Sequence, residues 1–207
     1  MFALVHVTYR AVMNFTALGA LDRSAGTNLT PGVVMLLFTV GILLIGRRSF
    51  ANYGLTLKGV PVRFFAGVIV VLLGLSVARA WCFHYPPLRS LLMTSSLVLG
   101  AGVGEEVFFR GYFQSRLNEA FGRPFRWLGV PFGAGLLLSS VLFGFLHTLN
   151  PVDYFHGRFD FAWGQGGLTF GSGLLFAWLR ESTKSVAAGI VVHSVVDVLA
   201  GLPKMIP

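Results

Sequence analysis

Runs of apolar residues, separated by short polar or basic stretches, fill most of this chain. All but one of these runs are uncharged or nearly so, and about 20 apolar residues are enough to cross a bilayer as a helix. The pattern predicts six spans, at residues 32–46, 64–83, 88–120, 127–149, 161–179 and 185–202. Residues 1–21 are moderately apolar but carry His6, Arg10 and Asn14, so an interfacial helix and a further span are both open.

The composition supports the same fold class. Of the 207 residues, 55% are hydrophobic and 12% are charged, and the mean hydropathy is +0.74. A soluble domain usually carries about twice that fraction of charge. We therefore predict an all-α, polytopic membrane helix bundle in which residues 1–207 form a single integral membrane domain.

The distribution of charge limits the possible partners. The formal net charge is +8, but Lys and Arg lie singly or in pairs between apolar runs and form no basic stripe. The sequence therefore argues against a nucleic-acid partner. Basic residues are concentrated in the loops after the first, third and fifth spans, so we predict that these loops are cytoplasmic.

The most unusual stretch is residues 100–110, where two carboxylates and an arginine interrupt an apolar run. A charge near the centre of a membrane helix costs roughly 2.5–3.5 kcal/mol, so Glu105, Glu106 and Arg110 need a role. Glu106 and Arg110 are four residues apart, which favours an ion pair within the helix. Glu105 points about 100° away from Glu106 and is left free to act as a base. The glycines of this stretch either break the helix or allow close helix packing.

Three further ionisable residues lie inside predicted spans: His147, His193 and Asp197. Phe143 shares a helix face with His147, four residues further on, and His193 and Asp197 are spaced in the same way. Each group alone is compatible with a hydrogen-bonded packing role. Together with Glu105, they supply a base, two imidazoles and a second carboxyl from three helices. These are the groups needed to activate water and to stabilise an oxyanion.

These residues form three motifs that resemble those of the CAAX-protease and bacteriocin-processing (CPBP) family of intramembrane proteases, which includes the type II CAAX prenyl endopeptidases. The motifs of that family are Glu-Glu-x-x-x-Arg, Phe-x-x-x-His and His-x-x-x-Asn or His-x-x-x-Asp, on successive core helices. They stand here at residues 105–110, 143–147 and 193–197, in the same order and each within an apolar run. The resemblance covers a catalytic core at residues 90–202.

The resemblance implies a glutamate-type intramembrane endopeptidase whose helices enclose an internal polar catalytic cavity. Its catalytic residues would be Glu105, His147, His193 and Asp197, and its structural supports would be Glu106, Arg110 and Phe143. Glu105 would activate water with the help of His147. The oxyanion would be bound at His193 and Asp197. Asp197 departs from the asparagine of the CAAX enzymes, so prenylation of the substrate stays open. Because an ionised aspartate would repel an oxyanion, Asp197 would be protonated, would donate through His193 or would only orient that ring.

The implied substrate is a membrane-associated protein or peptide, and the implied location is the plasma (inner) membrane of a prokaryote. The Glu, His and Asp side chains of the motifs are of types that bind zinc, but the chain has no His-Glu-x-x-His pair. The resemblance therefore favours a site without a metal or any other cofactor. The alternative class is a non-enzymatic membrane protein, either a small transporter or a scaffold or immunity factor. In that class the buried charges would form an ion relay or hold helices together.

Overall fold

The protein is mainly helical in the computed structural model, which describes residue 11 and residues 29–57, 62–82 and 87–201. The helices are α1 (Leu29–Ile45), α2 (Val62–Cys82), α3 (Pro87–Ser96), α4 (Gln114–Phe121), α5 (Ala134–Thr148), α6 (Trp163–Thr183) and α7 (Ala187–Gly201). The strands are β1 (Phe125–Trp127) and β2 (Val130–Phe132). The all-α prediction is confirmed for the described residues, with one short hairpin added. The prediction for residues 1–21 lies outside the described residues, apart from residue 11.

One long helix carries the charged stretch and packs against α1, α5, α6 and α7. α3 continues without interruption through two π-helical segments, Leu97–Glu105 and Val107–Phe113, into α4. We call the whole of residues 87–121 the central helix. The predicted helix to about residue 120 is therefore confirmed, and its glycines do not break it. Short π-helical insertions occur frequently at functional sites, and here they surround the Glu-Glu pair.

The glycines of the central helix allow neighbouring helices to come close. A side chain at Gly104 would overlap the backbone of Gly32 in α1, and one at Gly102 would overlap the side chain of Ser194 in α7. Close contact through small residues is typical of helices that pack in membranes. Of the two predicted roles for these glycines, close packing is the one that the structure shows.

The described residues contain one helix that is long and apolar enough to cross a membrane. It runs from Leu91 to Phe121 within the central helix and has 31 residues. Shorter apolar helices occur at Pro31–Ile45, Ala66–Ala78, Ala134–Thr148 and Ala187–Ala200. Length and composition thus support one span, and the total of six stays a prediction.

The start of the fourth predicted span was wrong. The sequence pattern placed it at Trp127, but β1 and β2 pair there as an antiparallel hairpin. Leu128 and Gly129 connect the strands with φ angles of 49° and 77°, as a tight hairpin turn requires. The helix begins only at Ala134. Short apolar strands and a buried helix have the same composition, so the sequence did not separate them.

The fifth predicted span ends at residue 179, which puts Arg180, Glu181 and Lys184 in a short charged turn, and this end was placed too early. Arg180 and Glu181 lie inside α6, and both side chains are buried. Glu181 accepts hydrogen bonds from Gln114, Asn118 and Arg123. These donors lie on the central helix and just beyond its end, so the buried carboxylate holds the end of α6 against it.

Aromatic side chains fill the core between the central helix, α5 and α6. Phe108, Phe109, Phe143 and Phe176 are all buried and form one cluster. Between helices in a bilayer, such side chains stabilise the fold through van der Waals packing. The rings of Phe143 and Phe176 also contact the imidazole of His193, at centroid distances of 5.7 Å and 4.8 Å. The same residues therefore form the core and fix the position of a predicted site residue.

Candidate active site

The four predicted catalytic residues lie together in one cluster. Glu105 comes from the central helix and His147 from the last turn of α5, while His193 and Asp197 come from α7. The Nε2 atoms of both histidines lie 3.9 Å from the same carboxylate oxygen, Oε2 of Glu105. Nε2 of His193 is also 3.4 Å from Oδ2 of Asp197. Three separate helices thus meet at these side chains.

A buried ion pair lies next to this cluster, as the four-residue spacing predicted. Nη1 of Arg110 is 3.2 Å from Oε1 of Glu106, and both side chains are fully buried. Nη2 of Arg110 donates to the carbonyl oxygen of Gly173 in α6 at 3.3 Å. The guanidinium carbon is 4.3 Å from the ring centroid of Phe143, which is a cation–π distance. An arginine stays protonated in proteins, so Arg110 places a positive charge beside the Glu106 carboxylate.

His193 makes a hydrogen bond that the sequence did not reveal. Its Nδ1 donates to Oε1 of Glu106 at 3.0 Å. An ionised carboxylate only accepts, so Nδ1 of His193 carries a hydrogen. The imidazole also stacks on Phe176 of α6, with ring planes 20° apart. Glu106 and His193 are 87 positions apart, and spacing along one helix gives no signal for such a contact.

A different partner fixes the imidazole of His147. Its Nδ1 donates to the carbonyl oxygen of Phe143, one turn earlier in α5, at 2.8 Å. A carbonyl oxygen has no hydrogen to give, so Nδ1 of His147 must carry one. The Phe143 ring centroid is 4.5 Å from the imidazole centroid, which confirms the predicted contact between these two side chains. With Nδ1 engaged, Nε2 is the atom that faces Glu105.

The distances within the cluster suit a small polar molecule. A separation of 3.9 Å between Oε2 of Glu105 and Nε2 of His147 is too long for a direct hydrogen bond, and it is a distance that a single water molecule can bridge. Each of the two side chains is 20% exposed, in contrast to the fully buried Glu106, but Oε2 of Glu105 is itself buried and has no hydrogen-bond partner among the described residues. In the part of the chain that the structure describes, no three His, Cys, Asp or Glu side chains are grouped as metal ligands. The arrangement can bind a water molecule beside a carboxylate base.

A second histidine–carboxylate pair lies in the loop between α5 and α6. Nδ1 of His156 donates to Oδ2 of Asp153 at 2.7 Å, and Nη2 of Arg158 donates to the same oxygen at 3.0 Å. Desolvation raises the pKa of Asp153, but the hydrogen bonds from Arg158 and His156 outweigh it and lower the pKa to about 2. His156 is exposed and faces this loop carboxylate, so the pair stabilises the loop and takes no part in the cluster.

Comparison with known families agrees with the three motifs. A sequence profile described as type II CAAX prenyl endopeptidase Rce1-like matches residues 87–199, which is more than half of the chain and includes every residue of the cluster. No curated protein and no solved structure matches the chain. The matched profile describes a protease family, and membership implies CAAX-type intramembrane protease activity in general terms. The chain belongs to the type II CAAX prenyl endopeptidase Rce1-like family.

Proposed function

We propose that this protein is an intramembrane endopeptidase that hydrolyses a peptide bond of a membrane-associated protein or peptide, with Glu105 as the base that activates water. The observation that carries the proposal is the approach of two histidine Nε2 atoms, from His147 and His193, to one Glu105 oxygen at 3.9 Å each. Three helices supply these groups, so their meeting is not a by-product of spacing along one helix. Membership of a protease family supports the same chemistry.

Water would bind between Glu105 and His147. One water hydrogen would point to the Glu105 carboxylate and the other to the bare Nε2 of His147, which leaves an oxygen lone pair free for attack. As this oxygen attacks the carbonyl carbon of the peptide bond, Glu105 takes the first proton. General-base catalysis of this kind typically contributes about 10²–10⁴-fold to the rate.

His193 and Asp197 would form the oxyanion site. The attack converts the carbonyl oxygen into an oxyanion, which a preorganised hydrogen-bond donor stabilises. The tetrahedral intermediate then collapses, the C–N bond breaks, and protonated Glu105 returns its proton to the departing nitrogen. The products are a carboxylic acid and an amine, and no covalent bond to the protein forms at any step.

The proposed mechanism uses no metal ion. Its test is cleavage of one substrate by purified protein before and after treatment with an excess of a zinc chelator. We expect equal rates, because Glu105 supplies the base directly. Loss of cleavage with the chelator, restored by added zinc, would overturn the metal-free mechanism while leaving the protease assignment in place.

The protease assignment is tested by mapping the termini of membrane proteins in native-host cells that produce wild type, Glu105→Ala or His156→Ala. Wild type and His156→Ala are expected to generate the same new termini, and Glu105→Ala none. His156→Ala is the matched control because it removes a histidine with a carboxylate partner that lies outside the cluster. Identical termini in all three strains would contradict the proposal. Termini that are absent only from Glu105→Ala would identify the substrate.

A scaffold role explains only part of the cluster. Holding helices together accounts for Glu106 and Arg110, which pair within the core. It does not account for Glu105, whose Oε2 is buried without a hydrogen-bond partner among the described residues. A scaffold would tolerate a neutral residue at Glu105, so the same variant separates the two classes.

A further inference from the structure

We propose that Glu106 and Asp197 hold His193 as a positively charged imidazolium. Glu106 is then a positioning residue for the oxyanion site in addition to being the partner of Arg110. The catalytic meaning of this inference rests on the proposed function. The charge of the His193 imidazole is itself measurable without any substrate.

The two imidazoles begin from the same arrangement of hydrogens. Nδ1 of His193 donates to Glu106, and Nδ1 of His147 donates to the carbonyl oxygen of Phe143. A neutral ring with its hydrogen on Nδ1 has only a lone pair at Nε2. Such a ring accepts a hydrogen bond from water but donates none to an oxyanion. A ring that donates to the oxyanion through Nε2 must therefore carry a second proton.

The surroundings of the two imidazole rings determine which ring carries this second proton. His193 has a carboxylate at each nitrogen: Glu106 lies 3.0 Å from Nδ1, and Asp197 lies 3.4 Å from Nε2. A lone pair at Nε2 would face the lone pairs of a carboxylate, whereas an N–H there is attracted to them. His147 has a neutral carbonyl at Nδ1 and only Glu105, at 3.9 Å, near Nε2. The second proton therefore belongs to His193.

The charged groups around His193 also favour a cation there. The central helix contributes Glu105, Glu106 and Arg110, α5 contributes His147, and α7 contributes Asp197. These groups include three carboxyl side chains and one guanidinium, so a positive charge on His193 has more acidic than basic neighbours. α6 contributes the face of an aromatic ring, Phe176, stacked at 4.8 Å, and such a face attracts a cation.

Nitrogen NMR measures the protonation of the His193 ring nitrogens directly. The full-length protein, labelled with ¹⁵N in its histidines and reconstituted in bilayers near neutral pH, gives separate signals for protonated and bare ring nitrogens. The His193 signals are those that disappear in His193→Gln. We expect both nitrogens of His193 to be protonated. A bare Nε2 in His193 would overturn the inference, whatever the activity of the protein.

Two variants test the role of the carboxylates. Asp197→Asn replaces the carboxyl group beside Nε2 at nearly constant shape, and we expect a larger fraction of His193 to have a bare Nε2 near neutral pH than in wild type. Asp153→Asn, which removes the carboxylate partner of the exposed His156, is the control and is expected to leave that fraction unchanged. A merely structural role for Asp197 would also leave it unchanged, and that result would contradict the inference.

Glu106→Gln removes the charge at Nδ1 of His193. We expect kcat to fall about 100-fold at neutral pH with little change in KM, and to recover partly at lower pH as the ring regains its proton. If this variant does not fold, Asp197→Asn decides the question alone. An imidazolium at His193 in a protein that cleaves nothing would support the inference and overturn the proposed function. Cleavage of substrate by a protein whose His193 has a bare Nε2 would support the proposed function and overturn this inference.

Discussion

Loss of the Arg110 side chain is expected to lower the free energy of unfolding by about 3–5 kcal/mol, the range for removal of one partner from a buried ion pair. Arg110 and Glu106 are both fully buried, with their charged atoms 3.2 Å apart. In Arg110→Gln, the buried Glu106 would lose its guanidinium partner and keep only His193 beside it. The substitution also removes the hydrogen bond to the carbonyl oxygen of Gly173.

The same helix supplies a matched control. Arg116 pairs with Glu119 three residues further on, but their side chains are 44% and 41% exposed. An exposed pair of this kind contributes about 0–1 kcal/mol. Arg116→Gln makes the same chemical change on the same helix, so differences in helix propensity cancel between the two variants. The expected difference between them therefore measures the buried contacts of Arg110 together: the ion pair, the hydrogen bond to Gly173 and the cation–π contact with Phe143.

Equilibrium unfolding of the purified protein in mixed detergent micelles, followed by tryptophan fluorescence, gives the free energies to compare. The double variant Glu106→Gln/Arg110→Gln removes both charges, and we expect it to recover part of the loss because no unpaired charge stays buried. Losses below about 1 kcal/mol for both Arg110→Gln and Arg116→Gln would refute the reasoning.

Three more predictions follow from single contacts. Gly144→Ala is expected to lower the free energy of unfolding by about 1–3 kcal/mol, because its Cβ would lie 2.7 Å from a carbonyl oxygen of α6, whereas Gly171→Ala meets nothing within 4 Å and is expected to cause no loss. Unfolding measurements on both variants check this, and equal losses would contradict it. The pKa of Asp153 is lowered from 3.8 to about 2, so its contribution to loop stability is complete above pH 3.8 and is lost as the pH falls through 2. Hydrogen exchange of the loop amides as a function of pH tests this, and a loss of protection already complete near pH 4 would count against it. Glu181→Ala is expected to cost about 3 kcal/mol by leaving buried donors unpaired, against less than about 1 kcal/mol for the exposed Glu119→Ala, as measured by unfolding.

The parts of the site that follow from local spacing were predictable from the sequence. Glu106 with Arg110, and Phe143 with His147, are four residues apart, and a helix brings such residues together whatever the rest of the fold does. The same holds for the long helix through residues 100–110, whose apolar positions continue on both sides of the charges. Helical periodicity carries all of this information.

Contacts between distant segments were not predictable in the same way. The motifs indicated that His193 would lie near Glu105, but no spacing indicated the hydrogen bond from His193 to Glu106. Glu181 was interpreted as a loop charge because two other charged residues lie nearby in the sequence. Its buried position depends on Gln114 and Asn118, more than 60 positions earlier. Partners of this kind are set by the packing of whole helices, to which a single sequence gives no direct access.

The most direct test of Glu105 as the catalytic base is the kcat of Glu105→Gln, measured with purified protein in lipid vesicles and a substrate identified from the mapped termini. Glutamine keeps the size of the side chain and accepts hydrogen bonds, but it does not take a proton from water. We predict that kcat falls by about 10²–10⁴-fold while the free energy of unfolding stays within about 1 kcal/mol of wild type. Turnover by Glu105→Gln at the wild-type rate would contradict the assignment of Glu105 as the base.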